Sequence, residues 1–277
     1  MLKIIAITLV VCIVGAVLFV GLLYVYSSTP LQLPSPTGTY AVGRRLYDWV
    51  DSKRIDPLAD QANAKRELLI WVWYPAQLQS GSTPAAYLPP AWVKAREVDQ
   101  GIGALVEHNF AAIQTHSYAD VPLASAASPY PILIMEPGMG PVPADYTVMA
   151  EDLASHGYVV VGINPTYTSN LIVFPDGRVV TRSIRGTIPD DASPAALDRD
   201  GNTIMNVWAD DVGFVMDRLA DANADKASPF YGQLDLAHMG VFGHSFGGAT
   251  AFYVCQRDPR CKAGANMDGT LFSEELG

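Results

Sequence analysis

One serine lies in a short glycine-rich stretch whose spacing is typical of a catalytic nucleophile. Residues 243–247 read Gly-His-Ser-Phe-Gly, so that Ser245 occupies the centre of a G-x-S-x-G pattern. This pattern forms a tight strand-to-helix turn, the nucleophile elbow, in which the two small residues let strand and helix pass closely. The serine hydroxyl then lies exposed at the tip of the turn, beside the backbone N–H of Phe246. We therefore predict Ser245 as nucleophile and Phe246 as an oxyanion-hole residue.

The residues on either side of the motif agree with an elbow. An apolar run at residues 238–242 has the length of a strand, and residues 249–255 contain neither proline nor glycine and favour a helix. The alternative is an ordinary glycine-rich turn in which the serine is simply solvated.

A serine nucleophile also needs a carboxylate, a base and a second oxyanion donor. Residues 262–267 predict a strand that follows the elbow helix and ends at Asp268. Because neighbouring parallel strands end at the same edge of a sheet, we expect Asp268 near Ser245, although an aspartate before Gly269 is also a common turn residue. The second donor should come from the loop after the strand at residues 131–135. Its sequence Gly-Met-Gly favours the backbone N–H of Met139.

The base has no obvious candidate. In this fold class the chain order is serine, acid, histidine, whereas all five histidines precede Ser245. We predict structural or solvent-facing roles for them: His108, His116, His156, His238 and His244. His244 adjoins the nucleophile, but the strand alternation directs its side chain to the other face. We expect the catalytic histidine to lie beyond Gly277, in a part of the sheet that this sequence does not include.

The elements that must position these residues alternate along the chain. Strands are predicted at residues 67–74, 131–135 and 158–163, and helices within 91–110, at 146–156 and around 205–219. Pro75 should end the first strand, and residues 164–194 should be loop with a hairpin turn at 175–177. This alternation predicts an α/β fold, a mostly parallel sheet with helices on both faces.

The first thirty residues predict a membrane segment. Residues 4–26 form an uncharged apolar run that is long enough to cross a bilayer, and no small-residue cleavage pattern follows this run. The charge bias places the N-terminus in the cytoplasm and the rest outside. We therefore predict an uncleaved transmembrane signal anchor at residues 1–28, with a cleaved signal peptide and secretion as the alternative. A proline-containing linker at 29–43 and an α/β-hydrolase domain at 44–277, incomplete at its C-terminus, would follow.

Composition limits the remaining possibilities. The net charge of −10 argues against nucleic-acid binding. Cys12 lies in the apolar segment, while Cys255 and Cys261 either form a disulfide or remain separate thiols. Residues 198–202 resemble a calcium loop, but the glycine is misplaced and residue 209 is not a glutamate, so we predict no metal and no cofactor.

Over about residues 37–275 the sequence resembles the platelet-activating factor acetylhydrolase family, which is related to lipoprotein-associated phospholipase A2 within the α/β-hydrolase superfamily. The most specific segments are residues 243–250 and 261–268, and the supporting ones are 66–68, 73–76, 152–158 and 174–178. The resemblance implies an α/β-hydrolase fold with Ser245 as nucleophile, Asp268 as acid, and oxyanion donors at Phe246 and Met139. Two features depart from the family: residues 136–138 read Glu-Pro-Gly where Ser-His-Gly is common, and the catalytic histidine has no counterpart.

The function that the resemblance implies is a serine carboxylic ester hydrolase. Such an enzyme degrades lipids through an acyl-enzyme, acting on short-chain or phospholipid esters and using no metal. Two alternatives stay open: a catalytically inactive, membrane-anchored binding protein on the same fold, and a polyester- or dienelactone-type esterase.

Overall fold

The computed structural model describes residues 1–101, 109–189 and 191–271. The chain divides into two compact units. The smaller consists of Met1–Leu33 and Ala86–Thr115, and the larger consists of Pro34–Ala85 and the residues from His116 onward.

The smaller unit contains the long apolar helix α1, Leu2–Ser28, most of whose side chains are exposed. Within the described residues it is the one helix that is long and apolar enough to cross a membrane. The short strand β1, Leu31–Gln32, pairs in parallel with the beginning of β5, Ile113–Ala119. Helix α2, Pro90–Gln100, occupies the first part of the region predicted to hold helices, and residues 102–108 of that region lie outside the described residues.

The larger unit contains the remaining strands and helices. Its strands are β2 (Ala41–Ile55), β3 (Lys65–Ala76), β4 (Pro84–Ala86, which ends at the boundary), β6 (Tyr130–Glu136), β7 (Val159–Asn164), β8 (Leu171–Val173), β9 (Val179–Thr181), β10 (Leu234–His244) and β11 (Cys261–Met267). Its helices are α3 (Thr147–Ser155), α4 (Pro194–Ala224) and α5 (Phe246–Arg257), and a short 3-10 helix, Pro143–Tyr146, precedes α3.

The sheet of the larger unit has the strand order β5-β2-β3-β7-β6-β10-β11. Strand β3 is antiparallel to both of its neighbours, and every other adjacent pair in this order is parallel. As a result β6, β7, β10 and β11 all end at the same edge, where an α/β sheet places its ligands. Strands β8 and β9 form a separate hairpin.

Helices cover both faces of this sheet. Leu68, Ile70 and Val72 alternate along β3 and pack in one apolar cluster with residues of α4 and α5. The intervening Trp71 and Trp73 are also fully buried, and their rings stack at 5.8 Å. Burial of each such side chain stabilises the fold by about 2 kcal/mol. Helix α3 contributes no member to the cluster and contacts β3 and β7.

A buried charge network joins β3 to α4. The Arg66 guanidinium donates to both carboxylate oxygens of Asp211, to Asp56 and to the Thr166 carbonyl. Desolvation lowers the pKa of Arg66, but the carboxylates of Asp211 and Asp56 raise it by more, so that Arg66 stays charged. A buried arginine needs such partners because an unpaired buried charge is strongly destabilising.

The structure corrects one predicted strand end. Strand β3 continues through Pro75 to Ala76, with Pro75 opposite Val42 of β2. The proline is tolerated because the pairing of β3 with β7 ends at Trp73, so that Pro75 has a strand partner on one side only. The hairpin turn is confirmed, because Phe174 N–H donates to the Arg178 carbonyl across it and Gly177 has φ +87°.

The segment predicted as a linker is partly structured. Strand β2 begins at Ala41, and the backbone N–H groups of Gly38 and Tyr40 donate to the Ser155 hydroxyl and carbonyl at the end of α3.

Candidate active site

Ser245 lies in a strained turn between β10 and α5. Its φ and ψ are 53° and −124°, a conformation that residues other than glycine rarely adopt. The turn is fixed on both sides, because Ser245 N–H donates to the Met267 carbonyl at 2.7 Å and the Ser245 carbonyl accepts from Gly248 and Ala249 N–H. The strain is therefore held in place by the end of β11 and the start of α5, which is the arrangement expected of a nucleophile elbow.

Glycine is required in the elbow because three backbone segments converge there. A Cβ at Gly247 would overlap the carbonyl oxygens of Glu136 and Pro137, and one at Gly243 would overlap Gly247 itself. The loop after β6 is therefore in direct contact with the elbow, as the predicted second oxyanion donor requires.

The two predicted oxyanion residues share one apolar cluster. The Phe246 ring is buried and packs edge-on against Trp208, with ring centroids 5.0 Å apart. Half-buried Met139 packs against the same cluster. Packing of both side chains fixes the backbone that would donate to an oxyanion.

A tyrosine that the sequence analysis missed connects the two sides of this site. The Tyr146 hydroxyl accepts from Gly138 N–H at 3.1 Å and lies 3.0 Å from His244 Nδ1. Gly138 belongs to the loop after β6 that carries Met139, residues 137–140, which we call the oxyanion loop after its predicted role. His244 immediately precedes Ser245, the predicted nucleophile. Burial raises the pKa of the Tyr146 hydroxyl, which stays protonated at neutral pH and can donate to the imidazole. No local spacing rule singles out Tyr146, because it reaches the site from the 3-10 helix before α3.

His244 therefore differs from its predicted orientation. Its Nδ1 lies 3.2 Å from the position that a Cβ of Gly138 would occupy, and the Ser245 Cβ lies 3.5 Å from the same point. The prediction that the His244 side chain points away from the site is therefore wrong, because His244 and Ser245 both lie against the loop after β6.

Asp268 follows β11 as Ser245 follows β10. His244 and Met267 are partners in the parallel register, so Ser245 and Asp268 are the next residues of the two strands. Asp268 is exposed with φ 61°, and its carboxylate has no hydrogen-bond partner in the described part of the chain. The Asn266 side chain closes the turn by accepting from Gly269 N–H and donating to the Gly269 carbonyl.

Three of the remaining histidines have identifiable positions away from the elbow. His156 bonds Thr37, His238 pairs with Asp235, and His116 lies on β5. His108 lies outside the described residues. Within the described ranges, no histidine ring is hydrogen-bonded to Ser245 or Asp268.

A buried carboxyl group lies beneath the oxyanion loop. Glu136 is fully buried at the end of β6, opposite Gly243 in the register, and neither carboxyl oxygen has a partner among the described residues. Desolvation, followed by the charge of Asp211, raises the pKa of Glu136 well above its usual value, and Arg66 only partly opposes this. Burial without a hydrogen-bond partner therefore favours the neutral form of this carboxyl group.

The question left open for the cysteines is answered by a disulfide between Cys255 and Cys261. It joins the end of the elbow helix to the start of the strand that leads to Asp268. Across the residues that the structure describes, no group of three or more histidine, cysteine, aspartate or glutamate side chains has the arrangement of a metal site.

Comparison with known families identifies the chain. The profile of the family described as "Platelet-activating factor acetylhydrolase, isoform II" matches residues 25–174, more than half of the sequence. The chain belongs to this family. The matched segment includes the oxyanion loop and Tyr146, while the elbow and Asp268 follow it.

Relatives of the platelet-activating factor acetylhydrolase family agree in sequence and fold. A probable 1-alkyl-2-acetylglycerophosphocholine esterase of Arthroderma benhamiae is 26% identical over 88% of this chain and 60% of its own length. The platelet-activating factor acetylhydrolase of Cavia porcellus is 24% identical over 65% of this chain and 46% of its own length. A ferulic acid esterase from Streptomyces cinnamoneus superposes with a TM-score of 0.70 and 28% identity, over 89% of this chain and 64% of that structure.

These comparisons confirm the α/β-hydrolase fold and the family resemblance. The chain spans about half to two thirds of the length of these proteins.

Proposed function

We propose that the protein is a serine carboxylic ester hydrolase that acts through an acyl-enzyme. The observation that supports this best is the strained Ser245 elbow in contact with a glycine loop, in a chain of a family whose relatives are named esterases and acetylhydrolases. A strained serine conformation is costly, and such strain is concentrated at active sites.

In the proposed reaction the Ser245 hydroxyl attacks the ester carbonyl and its proton passes to a base. The N–H groups of Phe246 and Met139 bind the oxyanion, and the alcohol leaves with that proton. Water then hydrolyses the acyl-enzyme and releases the acid. We propose that the base is a histidine oriented by Asp268.

The substrate class follows from the relatives. We propose a short-chain ester, either at the second glycerol position of a phospholipid, as the name of the Arthroderma relative describes, or an aromatic acid ester, as in the ferulic acid esterase.

The N-terminal segment supports a proposal about location. We propose that α1 anchors the protein as a single-pass signal anchor, followed by the linker and a hydrolase domain on the extracytoplasmic side. A cleaved signal with a secreted product is the alternative. The Cys255–Cys261 disulfide is consistent with either, because disulfides persist in oxidising compartments.

The test compares wild-type, Ser245→Ala and Asp268→Asn forms of the full-length protein on 1-alkyl-2-acetylglycerophosphocholine, methyl ferulate and p-nitrophenyl acetate. We expect turnover of at least one ester, its loss in Ser245→Ala by about 10⁴-fold or more, and a large loss in Asp268→Asn. Wild-type protein that binds these esters without hydrolysing any would instead support the non-catalytic binding protein.

A further inference from the structure

One arginine beside the oxyanion loop has no partner among the residues that the structure describes. In the described part of the chain, the other arginines contact a carboxylate, a carbonyl or an aromatic ring. Arg182 is exposed and makes no such contact with the described residues. The guanidinium of Arg182 therefore keeps its N–H donors available for a ligand.

The guanidinium lies against the loop that carries Met139. Gly140 has φ +105°, and the place where its Cβ would be is occupied by Arg182 Nη2, with Asn170 Oδ1 3.1 Å away. Asn170 N–H also donates to the Gly140 carbonyl at 2.7 Å. The Arg182 guanidinium and the Asn170 side-chain amide therefore lie together at the outer end of the oxyanion loop.

Arg182 is held there by the residue that follows it. Ser183 is buried, its hydroxyl donates to the Leu58 carbonyl at 2.6 Å, and its N–H donates to the Tyr167 carbonyl at 2.9 Å. The same hydroxyl accepts from Gly186 N–H. The backbone beside Arg182 is thus fixed, which reduces the ordering cost of binding a ligand there.

The distance to the nucleophile suits a substituent of the substrate. The Ser245 Cβ is 3.5 Å from the position of a Cβ on Gly138, and Gly140 is two residues further along the loop. Since consecutive Cα atoms are about 3.8 Å apart, Arg182 lies within about 10–15 Å of the serine. Because a hydrogen bond to the guanidinium itself spans about 3 Å, a charged group about four to eight bonds from the scissile carbonyl can span that distance.

We propose that Arg182, with Asn170, forms a subsite for an anionic group of the substrate, a phosphate or a carboxylate. Guanidinium groups bind both through paired N–H donors, and the exposed position leaves these donors open to a ligand. The subsite rests on the proposed esterase function, because it is defined by its distance from Ser245.

The first experiment measures binding without turnover. Isothermal titration of the full-length protein with hexyl phosphate and with hexanoate, against hexanol as neutral match, compares wild type with Arg182→Ala, Arg182→Lys and Arg185→Ala. Arg185 is a matched control, being an exposed arginine of the same loop. We expect Arg182→Ala to weaken binding of at least one anion about tenfold, Arg182→Lys to weaken it less, and Arg185→Ala to leave it unchanged. Loss with hexyl phosphate alone identifies a phosphate subsite, and loss with hexanoate alone a carboxylate subsite.

The second experiment uses hydrolysis of paired esters. The p-nitrophenyl half-ester of glutaric acid and p-nitrophenyl valerate share a scissile bond and differ in one terminal charge. Arg182→Ala should raise KM for the charged ester about tenfold and leave kcat/KM for the neutral ester unchanged.

Equal anion binding by wild type and Arg182→Ala, or an equal loss on both esters, would overturn the subsite. A wild-type protein that hydrolyses neither ester contradicts the proposed function instead, and the titration still decides the role of Arg182.

Discussion

Tyr146→Phe tests how the oxyanion loop is held. The substitution removes one oxygen atom, which bridges Gly138 N–H at 3.1 Å and His244 Nδ1 at 3.0 Å, and leaves the ring in place. If Tyr146 positions the loop relative to the elbow, the variant should bind substrate normally and react more slowly.

The expected loss of activity follows from the groups that lose the Tyr146 hydroxyl as a hydrogen-bond partner. Gly138 is a buried residue, and a buried N–H that loses its acceptor costs about 1–3 kcal/mol. Tyr146 is only half-buried, so water can partly replace the hydroxyl, and we expect a loss near the lower end, about 1 kcal/mol. Deleting an oxyanion donor outright costs about 10²–10³-fold in kcat. Here both proposed donors remain but their loop loosens, so we expect kcat to fall about tenfold with KM nearly unchanged.

The control variant, Tyr130→Phe, removes the equivalent hydroxyl from the first residue of β6. The Tyr130 hydroxyl donates to the Ala124 carbonyl at 3.1 Å, away from the elbow. Steady-state kinetics and urea unfolding of both variants separate the two roles, because Tyr130→Phe should lose similar stability and keep its kcat. Full activity in Tyr146→Phe, or an equal kcat loss in both, would refute the positioning role.

Three further predictions concern stability, each measured by urea unfolding. Asp211→Asn should lower the free energy of unfolding by about 3–5 kcal/mol, because it leaves buried Arg66 without its main charged partner. The control, Asp221→Asn, removes a charge from an exposed pair with Arg218 and should cost under about 1 kcal/mol. Similar small losses in both variants would contradict the stabilising role of the buried network. Glu136→Gln should stabilise the protein increasingly as pH rises from about 4.3, the unfolded-state pKa of glutamate, towards the raised pKa of Glu136 in the folded protein. The reason is that folded wild type holds a proton that its unfolded chain releases in this pH range. A difference in unfolding free energy between variant and wild type that does not change with pH would contradict the raised pKa. Reduction of the Cys255–Cys261 disulfide, or Cys255→Ser, should cost about 2 kcal/mol because the short loop is no longer closed, and reductant should have no effect on the variant.

The fold and the elbow could be predicted because their signals are local. The G-x-S-x-G spacing determines how closely β10, α5 and the loop after β6 approach, and the structure shows Gly243 and Gly247 in those contacts. Alternating strands and helices likewise predicted the sheet, since each apolar run has to be buried on the face that its period allows.

The parts that were missed depend on contacts between distant segments. Tyr146, Arg182 and the partners of Arg66 come from elements that lie far apart in the sequence, and no spacing within one segment indicates them. The sequence predicts a strand end at Pro75 because it does not show that β3 loses its second neighbour just before this residue. The proposed base stays a prediction for a different reason: all five histidines of the sequence precede Ser245, and none of those in the described ranges is hydrogen-bonded to Ser245 or Asp268.

The central claim is that Ser245 is an activated nucleophile. Treating the full-length protein with a fluorophosphonate and locating the adduct by peptide mass spectrometry tests this directly. We expect one adduct, on the peptide that contains Ser245, and none in Ser245→Ala protein that unfolds with wild-type stability. An unlabelled wild type, or an adduct on another residue that persists in Ser245→Ala, would contradict the account.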